Sequence, residues 1–445
     1  MLKNLHSLGY DTMTPIQEKS LPHSLKNKDL IAKAKTGSGK TASFGIPLLT
    51  KLNVKRFRIQ SLILCPTREL ADQVATELRR LARFTHNIKI LTLCGGVPFG
   101  PQAHSLSHKA HIIVGTPGRI LKHLQEENIS FDDVDTLVLD EADRMLDMGF
   151  NEDIMKIIEE VPNNRQTMLF SATYPSQIEE LSNTILKDPI EVSVESSHSE
   201  TSIKQYFYET YSENKTTSIP ALISNFKAKS VVIFCNTKIM CDELADDLYD
   251  LGFDTLKLHS DLDQKERNET LILFSNKSYP ILIATDVAAR GLDIKDIDLV
   301  INYDIVYDVE VHVHRIGRTA RAGASGVAVT LFTKDEEDKF EDLKDYLNQD
   351  FEVSNIADVV DDVNYKLQSE WSTLYINGGK KKKVRAGDIL GALTAKVGLN
   401  KEEVGKINIL DHCSYVAIKK ELADKALIGL EKGKIKGRFF RVFKV

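Results

Sequence analysis

The stretch AKTGSGKT, from Ala34 to Thr41, decides how the rest of this 445-residue chain is interpreted. Residues 29–33 before it predict a short strand, and residues 41–52 after it place apolar side chains at helical spacing. A strand, a glycine turn and a helix start form a phosphate-binding loop, because backbone amides and the positive end of the helix face one anion. The general pattern begins with glycine where this chain has Ala34, so a glycine turn before an ordinary helix is the alternative.

The loop contains the residue types that bind a nucleoside triphosphate together with Mg2+. Its glycines let the backbone amides turn inward, Lys40 adds a point charge, and the hydroxyl of Thr41 can ligate Mg2+. The predicted nucleotide-binding residues of the loop are Thr36, Gly37, Ser38, Gly39, Lys40 and Thr41.

Length and composition exclude several classes of protein. A prior of about 150 residues per domain gives roughly three domains. The five cysteines form no C-x-x-C pair, which favours buried, reduced thiols and a cytoplasmic protein. No apolar run approaches the roughly 18 residues of a membrane span, and residues 1–13 lack the apolar core of a signal peptide. We therefore expect neither a targeting segment nor a membrane anchor.

The net charge of −6 conceals an uneven distribution. Residues 371–445 contain 17 Lys and Arg against 7 Asp and Glu, a balance of +10, and residues 1–370 contain 41 against 57, a balance of −16. A local excess of this kind indicates a polyanionic partner, and a solvated lysine face is the alternative.

Short apolar strands alternate with amphipathic helices along most of the chain, which predicts α/β domains with parallel, doubly wound sheets. The pattern lapses into small polar residues at 195–203 and again into polar residues at 359–370, and we interpret both as linkers. The predicted domains are 1–194, which holds the phosphate loop, 204–358, which has none, and 371–445.

An apolar strand ends in a cluster of carboxylates at Asp140, Glu141 and Asp143. A buried strand that delivers Asp140 to the phosphate loop supplies a contact to Mg2+, and Glu141 can orient and deprotonate the attacking water. Acids at strand ends also serve solubility. Together with the loop, the cluster predicts Lys40, Asp140 and Glu141 as catalytic residues, with Thr41 and Asp140 at the metal.

At this point the chain resembles the DEAD-box helicases, since residues 140–143 spell the family's name. Further motifs follow in the family's order over roughly residues 1–350: TPIQ (14–17), PTRELA (66–71), GG (95–96), TPGR (116–119), SAT (171–173), QKER (264–267), ATDVAARGLD (284–293) and HRIGRTAR (314–321). The resemblance implies two tandem RecA-like P-loop domains and hydrolysis of ATP with Mg2+.

The resemblance also implies individual roles in the ATP site. Gln17 is similar to the residue that reads the adenine edge, and Asp293 to the residue that contacts the ribose. Arg318 and Arg321 resemble arginine fingers that stabilise charge on the γ-phosphate. Ser171, Thr173 and His314 resemble residues that couple the nucleotide and nucleic-acid sites, with a purely structural role as the alternative for the first two. The family's stacking aromatic upstream of Gln17 corresponds to a position just before Met1.

RNA is the partner that the resemblance implies, since contacts to phosphate and sugar position a strand without reading its sequence and 2′-hydroxyl contacts favour RNA. The implied RNA contacts of the first two domains are Thr67, Arg68, Gly96, Thr116, Gly118, Arg119, Gln264, Arg267, Thr285 and Asp286.

Residues 371–445 resemble an α+β RNA-recognition-motif (RRM) fold, with strands at 373–379 and 414–418 and a helix at 388–397. The central strand carries one aromatic, Tyr415, where a typical central strand of this fold carries several that stack on bases. The positive charge lies instead in two strings that form the predicted RNA-binding residues of the tail: Lys380, Lys381, Lys382, Lys383, Arg385, Lys434, Lys436 and Arg438.

The tail resembles that of the DbpA branch of the family, which implies a hairpin of 23S ribosomal RNA as partner during assembly of the large ribosomal subunit. A generic basic tether and a protein-docking module are the alternatives. We expect a monomeric, RNA-stimulated ATPase that locally separates short RNA duplexes. An ATP-gated RNA clamp and a DNA-translocating motor are the competing functions.

Overall fold

The computed structural model describes residues 2–34, 38–194, 203–286, 297–306, 308–319, 326–347, 349–362 and 365–445. The chain divides into two compact units, one formed by residues 1–199 with 291–293 and the other by 200–290 with 294–445.

A parallel sheet forms the centre of the first unit. Its strands in the described residues are β1 (Leu30–Lys33), β2 (Ser61–Leu64), β3 (Ile90–Leu93), β4 (Ile112–Gly115), β5 (Thr136–Asp140), β6 (Gln166–Ser171) and β7 (Ile190–Ser193). Their order across the sheet is β3-β4-β2-β5-β6-β1-β7. The helices are α1 (Leu2–Ser7), α2 (Pro15–Ser24), α3 (Lys40–Lys51), α4 (Arg68–Leu81), α5 (Phe99–Ser107), α6 (Pro117–Gln125), α7 (Ala142–Asp147), α8 (Asn151–Glu159) and α9 (Ser176–Ile185).

Helices cover both faces of this sheet, which explains why its strands are apolar on both sides. Successive side chains of a strand point to opposite faces. Ile63 of β2 packs in one core with Phe44, and Leu62 and Leu64 pack in the other with Met145. Because the strands are parallel, the loops that follow them emerge at one edge, and the described candidate residues of this unit apart from Gln17 follow or end a strand there.

The second unit contains a sheet of the same kind. Its described strands are β8 (Ile203–Glu209), β9 (Val231–Cys235), β10 (Thr255–Leu258), β11 (Ile281–Thr285), β12 (Leu299–Asn302), β13 (Gly326–Phe332) and β14 (Val353–Asn355). They pair in parallel in the order β10-β11-β9-β12-β13-β8-β14, which is the order of the first sheet when strands are counted within each unit. The helices are α10 (Lys215–Asn225), α11 (Lys238–Asp250), α12 (Gln264–Ser275), α13 (Val309–Ile316) and α14 (Glu337–Leu347). The predicted α/β class with parallel sheets is confirmed.

The C-terminal part of the second unit is a smaller α+β domain, as the sequence predicts. Its described strands are β15 (Trp371–Ile376), β16 (Val404–Ile409), β17 (Ser414–Lys419) and β18 (Val442–Lys444), and its helices are α15 (Ala386–Ala395) and α16 (Ala423–Lys432). The strands form an antiparallel sheet in the order β16-β17-β15-β18. Leu374 and Val416 on one face pack against Ile389 and Leu430 of the two helices.

The two predicted linkers differ in what the structure describes. Residues 195–202 lie outside the described residues, and Ile203 begins β8. The segment 359–370 contacts the second sheet domain: the Ser224 hydroxyl donates to Asp361 at 2.8 Å, and the Tyr365 hydroxyl donates to the Ala228 carbonyl at 2.7 Å. The domain boundaries themselves stay predictions.

A buried arginine fixes helix α13 to the ends of its neighbouring strands. Arg315 is 1% exposed, and its guanidinium donates from Nε and Nη2 to the two carboxylate oxygens of Asp286, both at 2.7 Å. It also donates to the Asp304 carbonyl at 2.7 Å and to the Asn236 side chain at 2.8 Å. Such a bidentate, desolvated pair is sensitive to the loss of either partner.

We predict that Asp286→Ala destabilises the second unit by about 3–5 kcal/mol, because the buried Arg315 charge loses its counterion. Equilibrium urea unfolding, followed by a probe in the second unit, measures the change. Asp261→Ala is the matched control, since that carboxylate pairs with Lys238 at an exposed position, and its midpoint should hardly move. Equal midpoints for the two variants would contradict the structural role of the pair.

Candidate functional site

The phosphate loop follows β1 and ends at a glycine that no other residue can replace without a shift. Gly39 has φ of 96°, and a Cβ atom there would lie 2.5 Å from Nε2 of Gln17. Gln17 donates from Nε2 to the Gly39 carbonyl at 3.2 Å and accepts from the Thr14 amide at 3.0 Å. The predicted adenine-reading residue is therefore joined to the loop. Thr36 and Gly37 lie outside the described residues.

Three buried polar atoms at this edge have no hydrogen-bond partner among the described residues: Lys40 Nζ, Asp140 Oδ1 and Ser38 Oγ. Burial without a partner is costly for such groups, so an ammonium, a carboxylate and a hydroxyl together suit a phosphate with a divalent cation. The described residues contain no cluster of three His, Cys, Asp or Glu that could hold a metal ion. A carboxylate beside a phosphate site suits Mg2+, which proteins bind through one or two carboxylates plus substrate phosphates. Thr41, on the first turn of α3, offers its hydroxyl to that cation.

Asp140 and Glu141 lie at the end of β5 in different environments. Burial raises the pKa of Asp140 to about 6, while the Lys40 ammonium opposes the shift. Glu141 is 5% exposed, has φ of 53° and accepts from Nη1 of Arg144 at 2.6 Å. A left-handed backbone at a non-glycine residue costs free energy and occurs often at functional sites. The arrangement can hold one carboxylate at a metal and orient the other by an arginine.

Asp143 connects the acid cluster to the segment after β6. Its Oδ2 accepts from the amides of Ala172 and Thr173 at 3.0 and 2.9 Å and from the Thr173 hydroxyl at 3.0 Å. The Ser171 hydroxyl donates to the Thr173 carbonyl at 2.6 Å. Ser171 and Thr173, predicted as coupling residues, are thus brought to the acids through a carboxylate that was not among the predicted site residues.

The predicted RNA contacts of the first unit follow the three strands at the other side of the sheet. Thr67 caps α4 after β2 and accepts from the Leu70 amide at 3.3 Å. Gly96 follows β3 with φ of 71°, and a Cβ atom there would collide with the Arg68 guanidinium, so the two residues are in contact. Thr116 caps α6 after β4, and Gly118 and Arg119 lie in the first turn of that helix. The structure therefore brings these residues together at one edge.

A glutamine that sequence analysis missed connects two of these loops. Gln102 of α5 donates from Nε2 to the Cys94 carbonyl at 3.0 Å. Its Oε1 accepts from Nη1 of Arg119 at 2.9 Å and from Nε2 of His123 at 3.0 Å. Phe99 stacks on His123 with ring centroids 4.1 Å apart. Burial, and then the charge of Arg119, lowers the pKa of His123 to about 4, so the ring is neutral and donates to Gln102. No motif in the sequence indicates this cluster.

The described candidate residues of the second sheet domain lie at a strand end or in and beside helices α12 and α13. Gln264 and Arg267 lie at the start of α12, where Gln264 donates to Asn268 at 3.0 Å and Arg267 to the His259 carbonyl at 3.4 Å. Thr285 ends β11, and the carboxylate of Asp286 binds Arg315, as described above. His314 lies in α13 and Arg318 just after it, 6% exposed. Asp293 and Arg321 lie outside the described residues.

The two basic strings of the C-terminal domain meet in space. Lys436 donates from Nζ to the Lys383 carbonyl at 2.7 Å and lies 3.5 Å from the Asp388 carboxylate. Lys382 donates to the Asn377 carbonyl at 2.9 Å, and the Lys434 ammonium lies 5.2 Å from the centroid of the Phe439 ring. We call these residues, together with Lys380, Lys381, Arg385 and Arg438, the basic patch.

The outer face of the small sheet, opposite its helices, is largely closed. Thr373, Tyr415 and Ala417 are 0, 2 and 1% exposed. Asn276, just after α12, donates to the Thr373 hydroxyl at 3.1 Å, and the Ser278 hydroxyl lies 2.6 Å from the same oxygen. Burial, and then the Glu269 carboxylate of α12, raises the pKa of Tyr415. The end of α12 and the turn after it therefore cover the centre of this face.

In the part of the chain that the structure describes, no helix is both long and apolar enough to cross a bilayer. All five cysteines are free thiols, and four of them are buried.

Three family models match the chain in order. Residues 14–181 match the DEAD/DEAH box helicase model, 214–323 the helicase conserved C-terminal domain and 373–444 the DbpA RNA binding domain. The ATP-dependent RNA helicase DbpA of Escherichia coli K12 is 50% identical over 99% of this chain and 96% of its own length. The protein of the same name from Bacillus subtilis 168 is 38% identical over 100% of this chain and 97% of its own length.

A solved structure of Dbp5 from S. cerevisiae bound to RNA and ADP BeF3 superposes with a TM-score of 0.72 at 27% identity. It covers 80% of this chain and 93% of that one. Since the family models agree with both parallel sheets and with the small antiparallel domain, the chain belongs to the DEAD-box family of ATP-dependent RNA helicases, in its DbpA branch.

Proposed function

We propose that this helicase hydrolyses ATP in response to RNA, locally separates short RNA duplexes, and is directed by its third domain to a 23S ribosomal RNA hairpin during large-subunit assembly. The observation that carries the proposal is one sheet edge at which Lys40, Asp140 and Ser38 present buried groups with no partner in the described part of the chain, beside Glu141. The mostly buried, free thiols support a cytoplasmic location. We also propose that the chain acts as a monomer.

The chemistry follows from the residues at this edge. Lys40 and the loop amides bind the phosphates, and the Thr41 hydroxyl and Asp140 hold Mg2+, which when bound neutralises phosphate charge. Glu141, oriented by Arg144, accepts a proton from the attacking water. Asp143 accepts a hydrogen bond from Thr173, so a displacement of the acid cluster also displaces the segment that contains Thr173. The assigned arginine fingers Arg318 and Arg321 and the ribose contact Asp293 stay predictions.

RNA binding by the first unit is proposed to use the loops after β2, β3 and β4. Small residues and backbone amides at the helix starts suit phosphate and sugar contacts, which grip a strand without reading its sequence. Residues Gln264, Arg267, Thr285 and Asp286 are proposed to contact RNA in the second unit. Asp286 also has a structural role, because its carboxylate forms the ion pair with Arg315.

An ATP-gated RNA clamp without turnover is the second candidate. It would need no carboxylate to activate water, yet Glu141 is buried and oriented by an ion pair with Arg144. This feature favours hydrolysis, and an ATPase assay with and without RNA separates the two functions.

We predict that Glu141→Gln binds ATP and RNA normally but hydrolyses ATP about 10²–10⁴-fold more slowly, because a carboxamide cannot take up the proton of water. The Mg2+ ligand Asp140 stays in place, and the new side chain can still accept from Arg144. RNA-stimulated phosphate release measures the rate, and Glu152→Gln, at an exposed position of α8, is the control. Near-normal turnover of Glu141→Gln would remove this residue from its role.

The Gln102 cluster yields a test of RNA binding in the first unit. Gln102→Met keeps the side-chain volume and removes the bond from Arg119 to Gln102, while the bond from Arg119 to the Val97 carbonyl at 3.0 Å stays. Ordering the less restrained arginine on binding costs about 0.5–1.5 kcal/mol, so the Kd for single-stranded RNA should rise roughly two- to tenfold. The KM for ATP should not change. Gln125→Met, at an exposed position of α6, is the control, and an unchanged RNA affinity in Gln102→Met would show that the cluster does not position Arg119.

The basic patch yields a test of the ribosomal target. Neutralising Lys434, Lys436 and Arg438 together by glutamine should flatten the plot of log K against log salt, with a 23S-derived hairpin as ligand. The slope should fall by about 0.7–0.9 for each phosphate that the patch no longer neutralises. Glutamine at Lys401, Lys406 and Lys420 changes the charge equally outside the patch and should leave the slope unchanged. If the parent chain binds an unrelated hairpin of equal length as tightly, the patch is a general tether.

A further inference from the structure

One edge of the outer sheet face in the C-terminal domain stays open. Phe443 of β18 is 51% exposed and lies opposite Tyr375 in the antiparallel pairing, with ring centroids 6.0 Å apart. On the same strand Val442 is buried and the Lys444 ammonium lies 3.4 Å from Asp424 of α16, so both face the helices. By alternation, Phe443 faces outward, and the exposed Arg441 lies just before the strand.

The centre of this face is covered by other parts of the chain, and the edge at Phe443 is not. Tyr415, the aromatic of the central strand, is covered, and its ring contacts Tyr375 edge-on with centroids 5.3 Å apart. Thr373 is sealed by the residues after α12. Among the described aromatic rings of this face, Phe443 is therefore the one with half of its surface available to a ligand.

Charge and shape indicate what occupies the edge. A flat ring beside an arginine stacks well with a nucleobase, because every base has a π-face and the arginine attracts the adjoining phosphate. The surrounding domain carries a balance of +10. The basic patch belongs to the same domain, and Gln264 and Arg267 lie on the helix that covers the neighbouring part of the face. These surroundings favour RNA over an apolar peptide.

We propose that Phe443, supported by Tyr375 and flanked by Arg441, stacks one unpaired base of an RNA whose hairpin is held at the basic patch. The proposal rests on the proposed RNA-binding function and adds a subsite to it. It predicts a preference for hairpins with a single-stranded flank over blunt hairpins of the same stem and loop.

The test compares these two RNAs on the full-length chain at one salt concentration, by fluorescence anisotropy. Base stacking on an aromatic contributes about 1–3 kcal/mol, so Phe443→Ala should weaken binding of the flanked hairpin about 5- to 150-fold and leave the blunt hairpin unchanged. Phe443→Tyr should bind like the parent, because it keeps a ring. Ile428→Ala, at a 52% exposed position of α16, is the control for removal of exposed apolar surface.

A second readout reports stacking directly. The chain has a single tryptophan, Trp371, so Phe443→Trp combined with Trp371→Phe places the only indole at the site. Flanked RNA should quench its fluorescence, and the same RNA with abasic flanking positions should not. Quenching by both RNAs, or by neither, overturns the proposal.

The remaining outcomes separate the two levels of inference. If the parent chain binds neither RNA, the proposed function fails and the subsite with it. If the parent binds both and Phe443→Ala binds the flanked hairpin equally well, or is weakened equally toward both RNAs, the subsite alone fails. Concentration-dependent dimers that disappear in Phe443→Ala would assign the ring to contact between copies of the chain and likewise overturn the proposal.

Discussion

Parallel pairing fixes where every functional loop of the two large sheets emerges. When all strands run in one direction, their carboxyl ends meet at one edge, and the residues just beyond them must share it. In the first unit this edge has two parts. The loops after β1, β5 and β6 hold the phosphate loop, the acids and Ser171, and the loops after β2, β3 and β4 hold the residues proposed for RNA. Asp143 ties the loop after β5 to the loop after β6, inside the first of these parts.

Local sequence predicted this layout well because its signals are local. The strands of the two sheets are continuous apolar runs, and the glycine turn at Gly39 needs a conformation that few other residues adopt. The residues that position the site were harder to find. Gln102, Arg144 and Arg315 act through partners that are near in space, and a lone glutamine on a helix carries no periodic or compositional signal. Arg315 lies inside a recognised motif, yet only the structure shows that it pairs with Asp286.

In the C-terminal domain, too, the sequence does not reveal which segments contact one another in space. Sequence placed its first and central strands, its first helix and its two basic strings, but composition cannot reveal that Tyr415 is covered. The ring is present, but another part of the chain covers it. The basic strings lie about fifty residues apart in sequence, and the bond from Lys436 to the Lys383 carbonyl shows that they meet in space. The charge count therefore predicted a basic surface, but not which of its residues lie side by side.

Helix α12 links the second sheet domain to the small sheet of the third domain over a fixed length. Its first turn carries Gln264 and Arg267, and the residues just after its last turn are bonded to Thr373 of the third domain. Its 12 residues span about 18 Å at 1.5 Å per residue, and a regular helix resists compression. The residues proposed to contact RNA at its first turn are therefore held at a constant distance from the small sheet of the third domain. For the proposed RNA partner, the helix would set the distance between a hairpin bound at the third domain and a strand bound at Gln264 and Arg267.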